Sequence, residues 1–311
     1  MRALITGVLG QDGSYLAGSL VADGHEVVGT RRSSEVGELG GCRLVELDLL
    51  DRPAIGSVVA DVEPDVVFHL AGLSSVAAAW AEPVLAMDVN ATATVALLES
   101  CWELQERSGR AVRFVQASSA EIFGAPATAP QDETTPLAPV NPYGASKALA
   151  HLAVGVYRAR GLGASSMVLY NHESPRRPET FVTRKITATV ARIARGEASE
   201  LRLGNLAARR DWGYAPDYVA AMRLAAGAEP GDFVVASGVA HSVADFVRAA
   251  FESAGVDDWE RYVVVDPAFY RPVDAVELVG DASRAREVLG WRPTVSFDEL
   301  VALMVEADLH G

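Results

Sequence analysis

In the stretch Asn141-Pro142-Tyr143-Gly144-Ala145-Ser146-Lys147, a tyrosine and a lysine stand four residues apart at the head of an apolar-periodic run, Leu149, Leu152, Ala153, Val156 and Tyr157. On a helix the two share a face, so the ammonium can lower the phenol's pKa and make it a base near neutral pH. Tyr-x-x-x-Lys also arises on surface helices whose side chains merely snorkel, so the pair needs chemistry beside it. Upstream, an apolar run over 112–117 leads into Ser118-Ser119-Ala120-Glu121. A hydroxyl there could bond a substrate oxygen beside Tyr143. The Glu121 carboxylate would be a second acid/base group, which simple hydride transfer does not need. Either serine could equally cap the following turn.

Strand and helix signals alternate ahead of this pair. A short apolar strand over 2–6 runs into Gly7-Val8-Leu9-Gly10-Gln11-Asp12-Gly13 and a helix-compatible run to Ala22, with a second strand over 26–30. Glycines at 7, 10 and 13 let backbone N–H groups approach a pyrophosphate, which the helix N-terminus then stabilises. An ordinary glycine-rich turn is the competing explanation. Where an NAD site usually places an acidic residue, this chain has Arg31-Arg32-Ser33-Ser34; two guanidinium groups and two hydroxyls suit a 2'-phosphate, and so NADP. A solvated basic loop would look the same. Further strands are expected over 43–47, 66–70 and 112–117. Asp48 and Leu49, and then Ala71 and Gly72, fall just past two strand ends, where the cofactor lies in a doubly wound sheet. Asp48 could accept from the adenine amine or simply cap a helix. The helical pattern over 86–102 is core or dimer face, and the Pro-rich loop over 131–142 is a lid or connector.

A sixth strand over 164–170 ends in Asn171-His172-Glu173-Ser174-Pro175-Arg176-Arg177-Pro178. The expected fold is therefore α/β: a doubly wound parallel sheet over 1–170 that binds NADP, then a smaller mixed α/β substrate-binding region over 171–311, with some segments returning to the sheet. Much of the chain's positive charge falls in that second region, at Arg184, Lys185, Arg192, Arg195, Arg202, Arg209, Arg210 and Arg271. In an acidic protein, such a set suits a polyanion such as a sugar diphosphate, although solvated helix faces account for most of them singly.

Composition narrows the class further. The 311 residues are 50 % hydrophobic, enough for a large core, and carry a net charge of -14 with a pI of 4.9. That balance argues against nucleic acid or an anionic membrane as a partner. Cys42 and Cys101 have neither metal-ligand nor disulfide spacing, so no metal is expected and a reducing cytosol suits them. Strand-like sequence begins at Arg2, leaving no signal peptide, and no apolar run approaches the roughly 18 residues of a membrane span. A cytoplasmic location is expected.

The stretches LITGVLGQDGSYLA, RRSS, QASSAEIFG, NPYGASK, NHESPRRPETFVTRKI, LGNLAARRDWGYAPDYV and FYRPVDAVELVGDASRAREVLGWRP together span nearly the whole chain. Through them it resembles the extended short-chain dehydrogenase/reductase family and, within it, the GDP-mannose 4,6-dehydratases. TGxxGxxG and YxxxK are specific only to the superfamily; NHESPRR, FVTRKI and RDWGYAPDYV are much narrower. The resemblance implies Ser119 in the place of the catalytic Thr, Glu121 as dehydratase carboxylate, Tyr143 as base and Lys147 as its partner. For NADP it implies Gly7, Gly10, Gln11, Asp12, Gly13, Arg31, Arg32, Ser33, Ser34, Asp48, Leu49, Leu70, Ala71, Ser74, Tyr143, Lys147, His172 and Arg177. For a nucleotide-diphosphate sugar it implies Asn171, Glu173, Val182, Lys185, Leu203, Gly204, Arg209 and Arg271.

Some positions depart from the family. Ser119 lacks the Thr methyl, Ala120 replaces a Ser and Leu73 replaces a Gln. The segment between Arg32 and Asp48 is short and carries Glu35, Glu38 and Glu46, so a homodimer through the helices over 86–102 and 143–160 is expected rather than a tetramer. The expected activity is nucleotide-sugar 4,6-dehydration by internal hydride transfer through NADP. A 4-epimerase or 4-keto reductase would use Tyr143 and Lys147 but not Glu121; a non-enzymatic NADP sensor would be expected to lose Tyr143 or Lys147.

Overall fold

Residues 1–270 and 277–311 are described by a computed structural model. The first half runs β1 (Arg2–Thr6), α1 (Gln11–Ala22), β2 (Glu26–Arg31), β3 (Cys42–Glu46), α2 (Arg52–Val62), β4 (Val66–His69), α3 (Val76–Ala81), α4 (Pro83–Met87), α5 (Ala93–Ser108), β5 (Arg113–Ala117), α6 (Pro142–Arg160) and β6 (Gly163–Leu169). The second half runs β7 (Asn171–Glu173), α7 (Val182–Ala194), β8 (Leu201–Leu203), β9 (Arg209–Tyr214), α8 (Ala215–Gly227), β10 (Asp232–Val235), β11 (Ala240–Ser242), α9 (Val243–Ser253), β12 (Val263–Val265), β13 (Glu277–Leu278), α10 (Ser283–Leu289) and α11 (Phe297–His310).

Strands β1, β4, β5 and β6 are buried at almost every position, as parallel strands with helices on both faces must be. They form the centre of a seven-stranded sheet in the order β10-β6-β5-β4-β1-β2-β3, parallel throughout. The chain leaves β1 in one direction and returns to β4 on its other side, so the crevice outside their carboxyl ends is the switch point where such sheets bind ligands. Strand β10 comes from the second half and closes the β6 edge. A second core gathers Ile186, Val190, Trp212, Phe246, Phe251, Val301 and Met304 from α7, β9, α9 and α11.

The expected helix over 86–102 is longer and interrupted. It runs from Pro83 to Ser108, with a π-helical turn at Asp88–Thr92 between α4 and α5. Contrary to the expectation from sequence, these 26 residues are long and apolar enough by composition to cross a membrane. Here Leu97, Leu98, Cys101 and Leu104 are fully buried in the layer that α5 forms with α2 and α6. The outer side of this layer is apolar too: Leu149, Leu152 and Val156 on α6 are 51 %, 56 % and 66 % exposed. The loop over 131–142 is a strapped connector. Gln131 is fully buried and receives the Tyr170 hydroxyl, and the Glu133 carboxylate receives Val234 N on the edge strand β10.

Candidate active site

Helix α6 starts at the rim because Asn141 caps it, accepting from Gly144 N at 2.8 Å, and Pro142 takes the first helical position. Its first turns are buried, which carries Tyr143 (9 % exposed) and Lys147 (5 % exposed) inward on one face. Strand β5 ends beside them. Ser119 Oγ caps the following 3-10 turn, accepting from Glu121 N at 3.2 Å, and lies close enough to the Tyr143 phenol to lower its pKa. Of the two readings of Ser119, the cap is seen directly, and it leaves the hydroxyl beside Tyr143. Asn141 Nδ2 donates to Glu121 Oε2 at 2.8 Å, and Glu121 lies within electrostatic reach of Tyr143. Ser118 Oγ is buried with no hydrogen-bond partner among the described residues.

Burial is the largest influence on both members of the Tyr143–Lys147 pair. Burial pushes Tyr143 up to about 12, with the Ser119 hydroxyl opposing it, and burial brings Lys147 down to about 8, with Asp12 opposing that. The Lys147 ammonium lies 6.0 Å from the phenol ring centre and donates to Ala117 O at 2.9 Å. The two side chains share a face as expected, and their common burial disfavours the charged form of each.

The glycine turn faces the same crevice. Gly7 has φ of +69°, and a Cβ on it would lie 2.8 Å from Ala71 Cα; one on Gly13 would lie 2.4 Å from Gly7 O. Gly10 stands at the N-cap of α1 and offers no capping side chain, so the first-turn amides keep the donors that a pyrophosphate needs. Thr6 Oγ1 accepts from Leu70 N and Ala71 N, fixing the rim after β4. Next to it Asn90, in the π turn, grips Leu73 at both backbone atoms and donates to Ser146 Oγ on α6. Ser74 is exposed on this rim.

Gln11 and Asp12 reach across to the second half. Gln11 donates to His172 O and accepts from Ser174 Oγ. The Asp12 carboxylate meets His172 Nε2 at 2.9 Å. Burial opposes both charges, yet the mutual attraction and hydrogen bond outweigh it, so Asp12 is held below and His172 above its ordinary value. His172 stacks on Tyr218 at 4.6 Å, and Arg177 donates to His172 O.

At the far end of the crevice Arg31 donates to Glu35 O and meets Glu46, while Arg32, 70 % exposed at its side chain, is latched by two bonds to the Glu35 carboxylate. Ser33 and Ser34 follow on the surface, and Leu49 is buried. Asp48 does not cap α2. That cap is Asp51, which accepts from Ala54 N, whereas Asp48 is exposed and accepts from Leu50 N.

The expected substrate contacts divide. At the start of α7, Val182 is 37 % exposed and Lys185 sits 3.7 Å over the Phe269 ring, whose backbone passes 2.6 Å from where a Gly204 Cβ would stand. Asn171 is exposed at the start of β7, and Arg209 meets Glu277 and Ala240 O. Two expectations are corrected. Glu173 is 2 % exposed with Oε2 taken by Arg177 and Thr183, so it supports Arg177 rather than facing a substrate. Leu203 is 2 % exposed in the second core, with its carbonyl bonded to Asp266 N. Arg271 lies outside the described residues.

Sequence reasoning passed over Phe269, Asn90 and the amide of Asn141. The Asn-Pro pair at 141–142 was a visible helix-start signal; nothing local announces the π turn or the approach of Phe269 to Lys185. Among the described residues no cluster of His, Cys, Asp and Glu could hold a metal ion.

A profile of the family described as GDP-mannose 4,6 dehydratase matches residues 4–304. The chain is 44 % identical over 325 residues to the Arabidopsis thaliana protein named GDP-mannose 4,6 dehydratase 2, a match covering 99 % of this chain and 87 % of that one. It is 40 % identical over 344 residues to the Homo sapiens GDP-mannose 4,6 dehydratase, covering 99 % and 91 %. Among solved structures, the UDP-glucose 4-epimerase of Thermotoga maritima with UDP-glucose matches with a TM-score of 0.87 at 27 % identity, covering 99 % and 98 %.

Proposed function

The chain belongs to the GDP-mannose 4,6-dehydratase family, and we propose that it converts GDP-mannose to GDP-4-keto-6-deoxymannose and water with the residues gathered around Tyr143. It is a hydro-lyase of nucleotide sugars, and its cofactor is NADP. The observation that carries the reading is Glu121: a carboxylate beside the Tyr143–Ser119 pair and tied to the cap of the same helix. A 4-epimerase or 4-keto reductase has no use for a third proton-handling group there.

Bound NADP supplies an acceptor that takes a hydride from sugar C4 and gives one back at C6. The turn between β1 and α1 fits its pyrophosphate, Arg31 and Arg32 fit its 2'-phosphate, and Lys147 lies where β5 meets α6. Tyr143 takes the proton of the 4-hydroxyl while Ser119 holds that oxygen, leaving a 4-keto sugar. The ketone acidifies C5–H; Glu121 removes that proton and passes it to the departing 6-hydroxyl, which leaves as water. As the resulting 4-keto-5,6-ene is reduced at C6, Tyr143 returns its proton at C5. Protons and electrons balance, so cofactor is neither consumed nor produced.

Incubating the protein with a panel of nucleotide sugars and catalytic NADP tests this directly. The expected result is loss of one water from GDP-mannose with no net NADPH; NADPH changing in step with product would favour a reductase.

The assembly reading is a homodimer. Exposed Leu149, Leu152 and Val156 on α6 and Val84, Met87 and Val95 on the adjoining helix support it, as an apolar face of this kind suits a helix bundle across a twofold axis. The short loop over 33–47 supports a dimer over a tetramer, although Glu35 and Glu46 each meet an arginine, which offsets part of the charge expected to keep subunits apart. A cytoplasmic location is supported by two cysteines outside any disulfide.

A further inference from the structure

The Asn141 side chain uses both ends of its amide. Oδ1 accepts from Gly144 N and closes the helix cap, while Nδ2 donates to Glu121 Oε2, each at 2.8 Å. The residue is 7 % exposed, so packing fixes this geometry rather than solvent exchange. Its surroundings press the same two segments together. A Cβ on Gly144 would lie 2.4 Å from Glu121 O, so only a residue without a side chain lets the helix start lie this close to the turn that bears Glu121. From the other side Ser119 Oγ accepts from Glu121 N and lies beside the Tyr143 phenol. Backbone and carboxylate of Glu121 are thus both referred to the first turn of α6, where Tyr143 is the second residue.

We propose that Asn141 is a positioning residue for the elimination step: its amide sets the plane and reach of the Glu121 carboxylate relative to Tyr143, so that one helical turn registers both proton-handling groups on the sugar. This rests on the reading of Glu121 as the group that removes the C5 proton. It assigns the amide a task that capping alone does not require, since Ser, Thr and Asp cap helices equally well without a donor aimed at the neighbouring carboxylate.

Two variants separate the tasks. Asn141→Asp keeps a capping oxygen but sets a carboxylate against Glu121, and two carboxylates that close hold a proton between them, which withdraws Glu121 as a base. Asn141→Gly removes the amide at a position where glycine is tolerated with little loss of helix stability. The protein is loaded with NADP and GDP-mannose, and two steps are timed in a single turnover: oxidation at C4, from the absorbance of NADPH, and water loss, from product mass. Both variants should lose water roughly ten- to a hundredfold more slowly. C4 oxidation and the KM for GDP-mannose should stay within about twofold, so that NADPH accumulates transiently. Equal slowing of both steps would reduce Asn141 to a support for the helix and overturn the proposal, as would wild-type water loss in both variants. Glu121→Gln run alongside tells the two readings apart. If that variant still loses water at the wild-type rate, the role of Glu121 itself is wrong. If it stops water loss while the Asn141 variants do not, only the positioning role falls.

Discussion

Replacing Lys147 with methionine should destroy the activity and make the cofactor-free protein more stable at pH 7. The ammonium is 5 % exposed, and its fall from 10.5 to about 8 comes from burial. At about 1.4 kcal/mol per pH unit, the folded state carries a cost of ~3 kcal/mol for holding that charge at neutral pH. Methionine keeps the length of the stem and removes the charge. It also loses the bond to Ala117 O, worth about 1 to 2 kcal/mol, but that carbonyl retains Gln116 Nε2 as a donor. The net expectation is a gain of roughly 1 to 2 kcal/mol, or about 1.5 to 3 °C in Tm for a chain of this length.

The sign can be checked independently through pH. A depressed lysine costs stability in full below about 8, where both folded and unfolded states are charged. As pH rises from 8 to 10.5 the folded state sheds its proton first and the cost disappears. Tyr143 and Cys101, both pushed up to about 12 by burial, act in the opposite sense, losing stability as pH climbs above their ordinary values. They are common to both proteins, so the difference between wild type and variant isolates Lys147. Thermal unfolding at pH 7, with denaturant titrations from pH 7 to 10.5, measures it. A variant that melts at or below the wild type, or a difference that stays flat across that window, would refute the reasoning.

Other perturbations follow from the same geometry. Glu121→Gln should oxidise C4 yet fail to release water, whereas Tyr143→Phe should do neither, as NADPH absorbance and product mass will report. Arg32→Ala should weaken NADP binding by roughly tenfold or more while leaving NAD unchanged. Glu35→Gln, which releases the latch on Arg32, should tighten NADP several-fold; calorimetric titration that finds NAD and NADP equal in the wild type would remove the basis for both. Leu152→Glu on the exposed face of α6 should convert a dimer at micromolar concentration to monomer in sedimentation, and a wild type that stays tetrameric on dilution would contradict the short-loop argument.

Local pattern carried the strands of the first half to within a residue or two, because a buried parallel strand bounded by turn residues is written in a handful of consecutive positions. The residues around Tyr143 were legible for a similar reason: helix spacing puts Tyr143 and Lys147 on one face whatever surrounds them. What spacing cannot convey is depth. Burial raises the Tyr143 phenol, which spacing alone does not announce, and burial withdraws Glu173 and Leu203 from the substrate side, since a motif names residues without saying which way each is turned. The bond from Asn141 to Glu121 joins segments 20 residues apart, and the contact of Lys185 with Phe269 spans a far longer separation. Neither leaves a periodic trace. The Asp88–Thr92 turn changes the hydrogen-bond ladder without changing the apolar pattern, so the helix reads as regular.

Strand β10 has a consequence for how the chain is made. Its pairing with β6, Asp232 with Ser166 through Val235 with Leu169, means that the nucleotide-binding sheet is unfinished when residues 1–170 leave the ribosome. Until residue 235 follows, β6 presents a row of open backbone donors and acceptors on an apolar strand, the kind of edge that recruits other chains. The two halves are therefore successive in sequence but concurrent in folding. A fragment ending at Tyr170 would retain the glycine turn, Glu121, Tyr143 and Lys147, and still be expected to aggregate, because the last strand that shields them is encoded some sixty residues downstream.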